Sequence, residues 1–206
     1  MQIFIEDLSN IYSDEKAISQ HLTFLSNEEK QSFDNKKRKK QQLQFLLGRF
    51  LLRTKLSEIL GKKAKDIQII KQTSGRLELK DNHSNINFNI SHSNDLVALA
   101  IGNKPVGIDI EFMKQRDFYN IANSSFSEEE AKAIKNTTND SDKMQLFYKY
   151  WTTKECLIKY QENKDKEPPI ISFICADKYM LSIACEDNEL TIITNHKFQQ
   201  YSCLFL

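Results

Sequence analysis

Two carboxylates stand two positions apart in the apolar stretch KPVGIDIEFM, residues 104–113. Residues two apart in a β-strand share one face, so Asp109 and Glu111 would lie side by side while Ile108 and Ile110 face the core. Neighbouring like charges repel unless water screens them or a cation lies between them. The pattern leaves two interpretations open, a solvated strand face or a cation site.

A second group of polar side chains stands in FYKYWTTKECLIKY, residues 147–160. On a helix, Trp151, Glu155 and Lys159 follow one another at intervals of four and share one face. The simpler interpretation is an ion pair between Glu155 and Lys159, with the tryptophan in the core. If this helix packs beside residues 106–111, however, three carboxylates converge, and oxygen ligands in that number suit Mg²⁺.

The segment FNISHS, residues 88–93, ends a predicted strand with two hydroxyls and an imidazole. One interpretation is a polar turn before the apolar run that follows. The other is a corner that contacts phosphate, with His92 as a cation or hydrogen-bond donor.

The basic run KKRKK, residues 36–40, stands at the head of a predicted long helix. Such a run is normally a solvated face, but cations at a helix N-terminus oppose the macrodipole, which favours binding of phosphates or nucleic acid. Arg49 and Arg53 follow four apart on the same helix, and Arg76 follows a turn glycine.

The elements that must position these residues follow from hydrophobic periodicity and turn residues. Ser26 and Ser127, each followed by Glu at the third position, predict helix N-caps with capping boxes. A long helix over about 36–60 would end at Gly61. Short strand-like runs occupy 66–111, a second long helix follows, and four more strand-like runs come after KEPP. Helices followed by strands, twice over, predict an α+β fold.

Composition limits the class of protein. The chain has 206 residues, 40% hydrophobic residues and a net charge of +1, so no overall charge selects nucleic acid or membrane. Its four cysteines include no C-x-x-C pair, which predicts reduced thiols over a disulfide framework or zinc site. MQIFIEDLSN lacks the features of a signal peptide, and FLLGRFLL is too short to span a bilayer. We therefore expect a soluble, cytoplasmic protein.

Taken together, these segments resemble the 4′-phosphopantetheinyl transferase superfamily, in particular the type that activates the surfactin synthetase. That family carries F-N-I-S-H-S, V/I-G-I-D-I-E and W-x-x-K-E-x-x-x-K in this order, and here these motifs stand at 88–93, 106–111 and 151–159. LLGRFLLR at 46–53 is similar to the family's N-terminal helix. SGR at 74–76 resembles its Gly-Lys-Pro turn, although Leu77 replaces the proline.

The resemblance implies a two-lobed pseudo-dimer of similar α+β halves, each a small antiparallel sheet packed with a long helix. The N-terminal lobe, residues 1–105, would bind coenzyme A, and the C-terminal lobe, 106–206, would carry the metal carboxylates and the catalytic helix. The enzyme would move 4′-phosphopantetheine from coenzyme A to a serine of an apo acyl or peptidyl carrier protein, with Mg²⁺, and release adenosine 3′,5′-bisphosphate.

The resemblance also assigns the site residues. Asp109, Glu111 and Glu155 would hold Mg²⁺. Glu155, or a base acting through metal-bound water, would deprotonate the carrier serine. Lys159 or Lys154 would donate to the leaving phosphate. The catalytic residues are therefore expected to be Glu155, Lys159 and Asp109. The residues expected to bind coenzyme A are Arg49, Arg76, Ser91, His92, Lys154 and Lys159.

The charge of carrier proteins indicates what kind of surface would bind them. Carrier proteins are small, acidic helical bundles, so segment 112–119, with aromatic and basic residues, would suit their docking, unless its aromatics fold into the core. We expect a monomer without nucleic-acid or membrane partners. One alternative is another Mg²⁺-dependent phosphoryl-transfer enzyme, though the sequence has no G-x-x-x-x-G-K-[ST] loop. The others are a non-enzymatic nucleic-acid module built on KKRKK with Arg49 and Arg53, and a degenerate carrier-binding homologue.

Overall fold

The computed structural model describes residues 1–9, 14–81, 84–160, 167–187, 189–194 and 202–204. The described strands are β1 (Gln2–Asp7), β2 (Ile69–Lys71), β3 (Leu77–Leu79), β4 (Asn87–Ser93), β5 (Leu96–Gly102), β6 (Val106–Phe112), β7 (Ile170–Cys175), β8 (Tyr179–Cys185), β9 (Thr191–Thr194) and β10 (Ser202–Leu204). The described helices are α1 (Glu15–Leu22), α2 (Asn27–Asp34), α3 (Lys39–Leu60), α4 (Phe118–Ser125), α5 (Glu128–Asn136) and α6 (Asp140–Tyr160).

The strands form two four-stranded sheets and one hairpin. The first sheet has the order β4-β5-β1-β9, the second has the order β10-β7-β8-β6, and β2 pairs with β3. Neighbouring described strands are antiparallel, except that β9 pairs with β1 in parallel. The predicted boundary between residues 105 and 106 falls in the turn between β5 and β6 and stays a prediction. β9 lies after this boundary in the sequence but belongs to the first sheet.

The two sheets pack against each other through alternate residues of their strands. Ile108 and Ile110 of β6 are fully buried in one cluster with Ile3 and Ile5 of β1. Burying each such side chain contributes about 1.5–3 kcal/mol. The isoleucines of GIDIE therefore face the shared core, as the alternation predicts, and the carboxylates between them point to the opposite face of the second sheet.

A long helix covers the outer face of each sheet. Helix α3 packs Leu52 and Leu56 against Leu99 of β5, and α6 packs Cys156 and Tyr160 against β8. The prediction of an α+β protein with two similar sheet-and-helix halves is therefore confirmed. None of the helices in the described part of the chain combines the length and the apolar character that crossing a membrane requires.

The ends of the helices confirm some of the predicted start and stop signals and correct others. Ser26 and Ser127 each form the predicted capping box, and Gly61 ends α3 with a left-handed φ of 63°. Helix α3 begins at Lys39, three residues after the predicted start at 36, and Arg38 caps it without a side-chain hydrogen bond. The short helices α1 and α4 were not predicted; α1 packs Ile18 and Leu22, both partly buried, against a core cluster that includes Leu46 of α3.

Candidate active site between the two sheets

The edge strands β4 and β6 of the two sheets lie side by side and are joined by side chains. Three side chains of β4 accept hydrogen bonds from alternate backbone N–H groups of β6; the pairs are Ile108 to Asn89 Oδ1 at 3.4 Å, Ile110 to Ser91 Oγ at 3.3 Å and Phe112 to Ser93 Oγ at 3.0 Å. Because an edge strand leaves such N–H groups outside its own sheet, these side chains complete the edge of β6. We call this arrangement the side-chain ladder.

Asp109 lies at the centre of the ladder and is only 4% exposed. Its Oδ1 atom accepts a 2.8 Å hydrogen bond from Ser91 Oγ and a 2.6 Å bond from Lys159 Nζ. Its Oδ2 atom is buried and has no hydrogen-bond partner in the described part of the chain. A solvated strand face is therefore excluded for Asp109, because helix α6 and strand β4 cover it.

Glu111 lies next to Asp109, half-buried, and accepts a 2.8 Å hydrogen bond from Ser93 Oγ. Burial raises the pKa of Glu111, and the nearby charge of Asp109 acts in the same direction. Both causes oppose a second negative charge beside the first. A bound cation would relieve this repulsion.

Helix α6 reaches Asp109 because Gly107 lets two backbones approach closely. A Cβ atom on Gly107 would lie 1.9 Å from the carbonyl oxygen of Cys156 and 2.7 Å from the backbone nitrogen of Tyr160. The hydrogen atom of glycine makes this approach possible. Lys159 then contacts Asp109, and Glu155 stands one helical turn earlier, partly buried.

The three carboxylates predicted to converge do not form a closed metal site by themselves. Among the described residues, no group of three or more His, Cys, Asp or Glu side chains could hold a metal ion. Asp109 and Glu111 nevertheless fit Mg²⁺, which is usually held by one or two carboxylates while water and substrate phosphates complete its shell. The unpartnered Oδ2 atom of Asp109 supports this fit. Ligation by Glu155 stays a prediction.

A cavity of about 410 Å³ opens beside the carboxylates. Its basic lining residues are Lys36, Arg49, Lys71, Arg76 and Lys159. Its larger apolar lining residues are Phe45, Leu77, Phe88, Ile90 and Ile158. Such a lining suits an elongated anion with apolar parts, and Lys159 connects the cavity directly to Asp109.

The comparisons with known proteins agree with this geometry. A family model described as 4′-phosphopantetheinyl transferase superfamily matches residues 105–204, and one described as 4′-phosphopantetheinyl transferase, N-terminal, matches residues 13–104. The chain is 32% identical over 182 residues to the 4′-phosphopantetheinyl transferase gsp of Aneurinibacillus migulanus, covering 87% of this chain and 74% of that protein. The chain belongs to the 4′-phosphopantetheinyl transferase superfamily.

Two Bacillus subtilis relatives support the same assignment. The chain is 34% identical to the 4′-phosphopantetheinyl transferase ffp and 33% identical to the 4′-phosphopantetheinyl transferase Sfp of strain 168. Each match covers 74% of this chain and 66% of the relative. The chain thus spans about two thirds of the length of these two relatives, and the predicted family and enzyme class are confirmed.

Within this transferase, His92 projects from β4 at the margin of the cavity. Its side chain keeps substantial solvent exposure. Partial desolvation by surrounding groups nonetheless lowers its pKa below the usual 6.5, and the positive charges of Lys159 and Lys36 also lower it. His92 is therefore mostly neutral at pH 7 before an anion binds.

The arginines of the transferase differ in what holds them. Arg49 pairs with Glu29 at 3.3 Å and lies over the ring of Phe45, 5.0 Å from its centroid. Arg76 donates to the carbonyl oxygen of Tyr160 at 3.1 Å, at the end of helix α6. The carbonyl end of a helix attracts cations, so Arg76 also fixes the end of the helix that carries Lys159.

The basic run and Lys154 are distributed over several places. Lys36 lines the cavity, whereas Lys40 donates to Asn94 Oδ1 at 2.6 Å and pairs with Asp95 at 2.8 Å, which holds the turn between β4 and β5. Lys154 donates to the carbonyl oxygen of Ser125 and is not among the described residues that line the cavity. The contact predicted between Lys154 and coenzyme A therefore stays a prediction without support from this geometry.

Two side chains close to the site, those of Trp151 and Cys156, have a packing role. Trp151 packs with Phe147, their ring centroids 6.1 Å apart, so the core interpretation holds for it. Cys156 is fully buried, and burial raises the pKa of its thiol to about 12. Since the thiolate is the reactive form of cysteine, Cys156 is a packing residue.

Several contributors to the site were not predicted. Lys71 and Phe45 line the cavity, although nothing in their local sequence marks them. Asn89 belongs to the FNISHS motif and carries the first bond of the side-chain ladder. The segment predicted for carrier docking divides: Met113 and Phe118 are buried in the core, and Tyr119 remains 42% exposed.

Proposed function

We propose that this chain transfers the 4′-phosphopantetheine group from coenzyme A to a serine hydroxyl of an apo acyl or peptidyl carrier protein. The reaction uses Mg²⁺ and releases adenosine 3′,5′-bisphosphate. The observation that carries the proposal is the position of Lys159, which lines the basic cavity and lies 2.6 Å from Asp109. One side chain thereby joins a space for phosphates to the carboxylates that suit the metal.

Coenzyme A matches the lining of the cavity. It carries a 3′-phosphate and a pyrophosphate, which suit the cations Lys36, Arg49, Lys71 and Arg76. Its adenine and pantetheine are less polar and suit the apolar residues between them. The cavity volume of about 410 Å³ lies in the range of small-molecule sites, about 300–1,000 Å³.

Each of the site residues has a separate role in the proposed reaction. The carrier serine oxygen forms a bond to the β-phosphorus of coenzyme A, and the bond from that phosphorus to the bridging oxygen breaks, which frees adenosine 3′,5′-bisphosphate. Glu155 accepts the serine proton, directly or through a water molecule. Lys159 places its ammonium group where negative charge grows on the leaving phosphate. When bound by Asp109 and Glu111, Mg²⁺ supplies further neutralisation of that charge.

The nucleic-acid alternative loses part of its basis. Arg53, on which it partly rests, is 1% exposed and donates to Glu29 and to the carbonyl oxygens of Ala64 and Ile67. It therefore stabilises the fold and does not form a basic surface. A cytoplasmic location, a monomeric state and the lack of nucleic-acid and membrane partners stay predictions.

Intact-protein mass spectrometry tests the proposed function. A panel of apo carrier proteins is incubated with the chain, coenzyme A and Mg²⁺, with parallel reactions containing EDTA or Glu155→Gln. We expect one phosphopantetheine group on at least one carrier, and its loss in both controls. Absence of any mass gain together with no coenzyme A binding in calorimetry contradicts the proposal.

His92 should make coenzyme A binding depend on pH. Because a phosphate near His92 favours its protonated form, the pKa of His92 should rise from below 6.5 when coenzyme A binds. Binding should then strengthen as pH falls from the pKa of the complex to that of the free protein. NMR titration of the imidazole with and without coenzyme A measures both values.

The matched variant for this prediction is His92→Gln. The 3′-phosphate of coenzyme A, a monoester, also titrates near pH 6, so some pH dependence of binding remains in this variant, and the difference from the unmodified chain isolates His92. A pKa of His92 that does not move when coenzyme A binds contradicts a contact between the two.

A further inference from the structure

We infer that Ser91 and Ser93 are positioning residues for the carboxylates Asp109 and Glu111, and that the hydroxyl of Ser91 does not bind coenzyme A. The inference rests on the proposed function, since it assigns these serines a task in the same site. It replaces the coenzyme A contact predicted for the Ser91 side chain.

The hydrogen bonds of Ser91 use the full capacity of its hydroxyl. A serine hydroxyl has one proton to donate and two lone pairs to accept. Ser91 Oγ accepts from the backbone N–H of Ile110 at 3.3 Å and from Lys159 Nζ at 3.0 Å. Its one proton is donated to Asp109 Oδ1 at 2.8 Å. Ser91 is 6% exposed, so this buried hydroxyl has no capacity left for a phosphate oxygen.

Ser93 repeats the arrangement two residues later. Its Oγ atom accepts from the backbone N–H of Phe112 at 3.0 Å and donates to Glu111 Oε2 at 2.8 Å. In both cases the backbone of β6 fills an acceptor position, which directs the hydroxyl proton toward the carboxylate of the preceding residue. The spacing S-x-S on β4 thus matches the spacing D-x-E on β6.

The consequence concerns which carboxylate oxygen is available to a metal. Ser91 and Lys159 occupy Oδ1 of Asp109 and leave Oδ2 buried without a partner among the described residues. Groups that orient metal ligands in this way typically change metal affinity or activity by about 10–100-fold when they are removed. The two serines therefore belong to the metal site through the orientation of its ligands.

Asn89 separates this role from simple stabilisation of the interface between β4 and β6. It forms the first bond of the side-chain ladder, to the backbone N–H of Ile108 at 3.4 Å, but the residue one position before Ile108 is Gly107, which has no carboxylate. Ser172 of β7 provides a second control, because its hydroxyl lies 2.8 Å from Ser182 Oγ and, among the described residues, is not bonded to β4, Asp109 or Glu111.

The test measures binding of Mn²⁺ alone, by calorimetry and by loss of its free electron-paramagnetic-resonance signal. We expect Ser91→Ala and Ser93→Ala to weaken Mn²⁺ binding by about 10–100-fold, and Ser93→Thr, which keeps the hydroxyl, to restore it. Asn89→Ala and Ser172→Ala should bind Mn²⁺ like the unmodified chain. In EDTA, coenzyme A binding to the two Ser→Ala variants should be unchanged.

Other outcomes overturn the inference. Weaker coenzyme A binding in EDTA with unchanged Mn²⁺ affinity makes Ser91 a ligand of coenzyme A. An equal loss of Mn²⁺ affinity in Asn89→Ala assigns the effect to the ladder as a whole. Unchanged Mn²⁺ affinity in Ser93→Ala also contradicts the inference. Because Ser93 is only half-buried, this variant provides the test if Ser91→Ala does not fold. Carrier modification by the unmodified chain is scored separately, so the proposed function can stand when this inference fails.

Discussion

Asp109→Asn is expected to lower the rate of phosphopantetheine transfer by roughly 10³-fold, because the proposed metal site would lose one charged ligand and with it several kcal/mol of stabilisation of transition-state charge. Asparagine keeps the shape of the side chain and can still accept the hydrogen bond from Ser91 Oγ, which is 2.8 Å long in the unmodified chain. What it loses is the negative charge that contacts Lys159 at 2.6 Å. Because the side chain of Lys159 is 27% exposed, water can solvate its charge, and the fold should survive while the chemistry does not.

The measurement is the initial rate of carrier modification at several Mg²⁺ concentrations. Glu58→Gln provides the matched control. This carboxylate of α3 is 58% exposed and pairs with Lys55 at 2.9 Å, away from the side-chain ladder. The control should retain the full rate. An Asp109→Asn variant with an unchanged rate and an unchanged requirement for Mg²⁺ shows that Asp109 is not a metal ligand.

Gly107→Ala is expected to destabilise the protein by about 3 kcal/mol, the upper part of the usual range for overpacking. The added Cβ would lie 1.9 Å from the carbonyl oxygen of Cys156 and 2.7 Å from the nitrogen of Tyr160. Both are backbone atoms of helix α6, so the clash cannot be relieved by a side-chain rotation. The helix must move, and Lys159 moves with it away from Asp109.

Denaturant unfolding followed by circular dichroism measures this change, together with the transfer rate. Gly48→Ala is the control for stability: its added Cβ would lie 3.4 Å from Ile90 Cγ2 and 3.7 Å from Val97 Cγ1, which is ordinary contact with side chains. Alanine also favours a helix over glycine by about 1 kcal/mol. A Gly107→Ala variant as stable and active as the unmodified chain shows that the close approach of α6 is not required.

Helix α6 combines structural and chemical duties along its length. Its first half anchors the second lobe, since Phe147 and Tyr148 are fully buried. Its last turn carries Lys159, which contacts Asp109 of β6 and Ser91 of β4 at once. The ion pair between Glu155 and Lys159 is the simpler sequence interpretation, whereas the structure directs Lys159 to the buried carboxylate. A buried charge needs a partner more than an exposed one does.

The sequence by itself determined most of the local elements and indicated the family. Capping boxes at Ser26 and Ser127, the stop at Gly61 and the alternation around Asp109 are signals between residues at most a few positions apart. Such signals depend on backbone geometry that each segment already has alone. The order of three motifs was enough to indicate the superfamily, which the comparisons confirm.

Only the tertiary structure decided what these elements meet. The sequence pattern cannot show that β9 returns to pair with β1, that Lys71 reaches the cavity, or that Ser91 uses its whole hydroxyl inside the site. The contacts of Ser91 arise because the inner faces of the two sheets bury their isoleucines against each other, which brings the edges β4 and β6 together. The burial of apolar surface favours this packing however far apart the residues are in the sequence. The chemistry of the site depends on the two strand edges, β4 and β6, that the packing brings together.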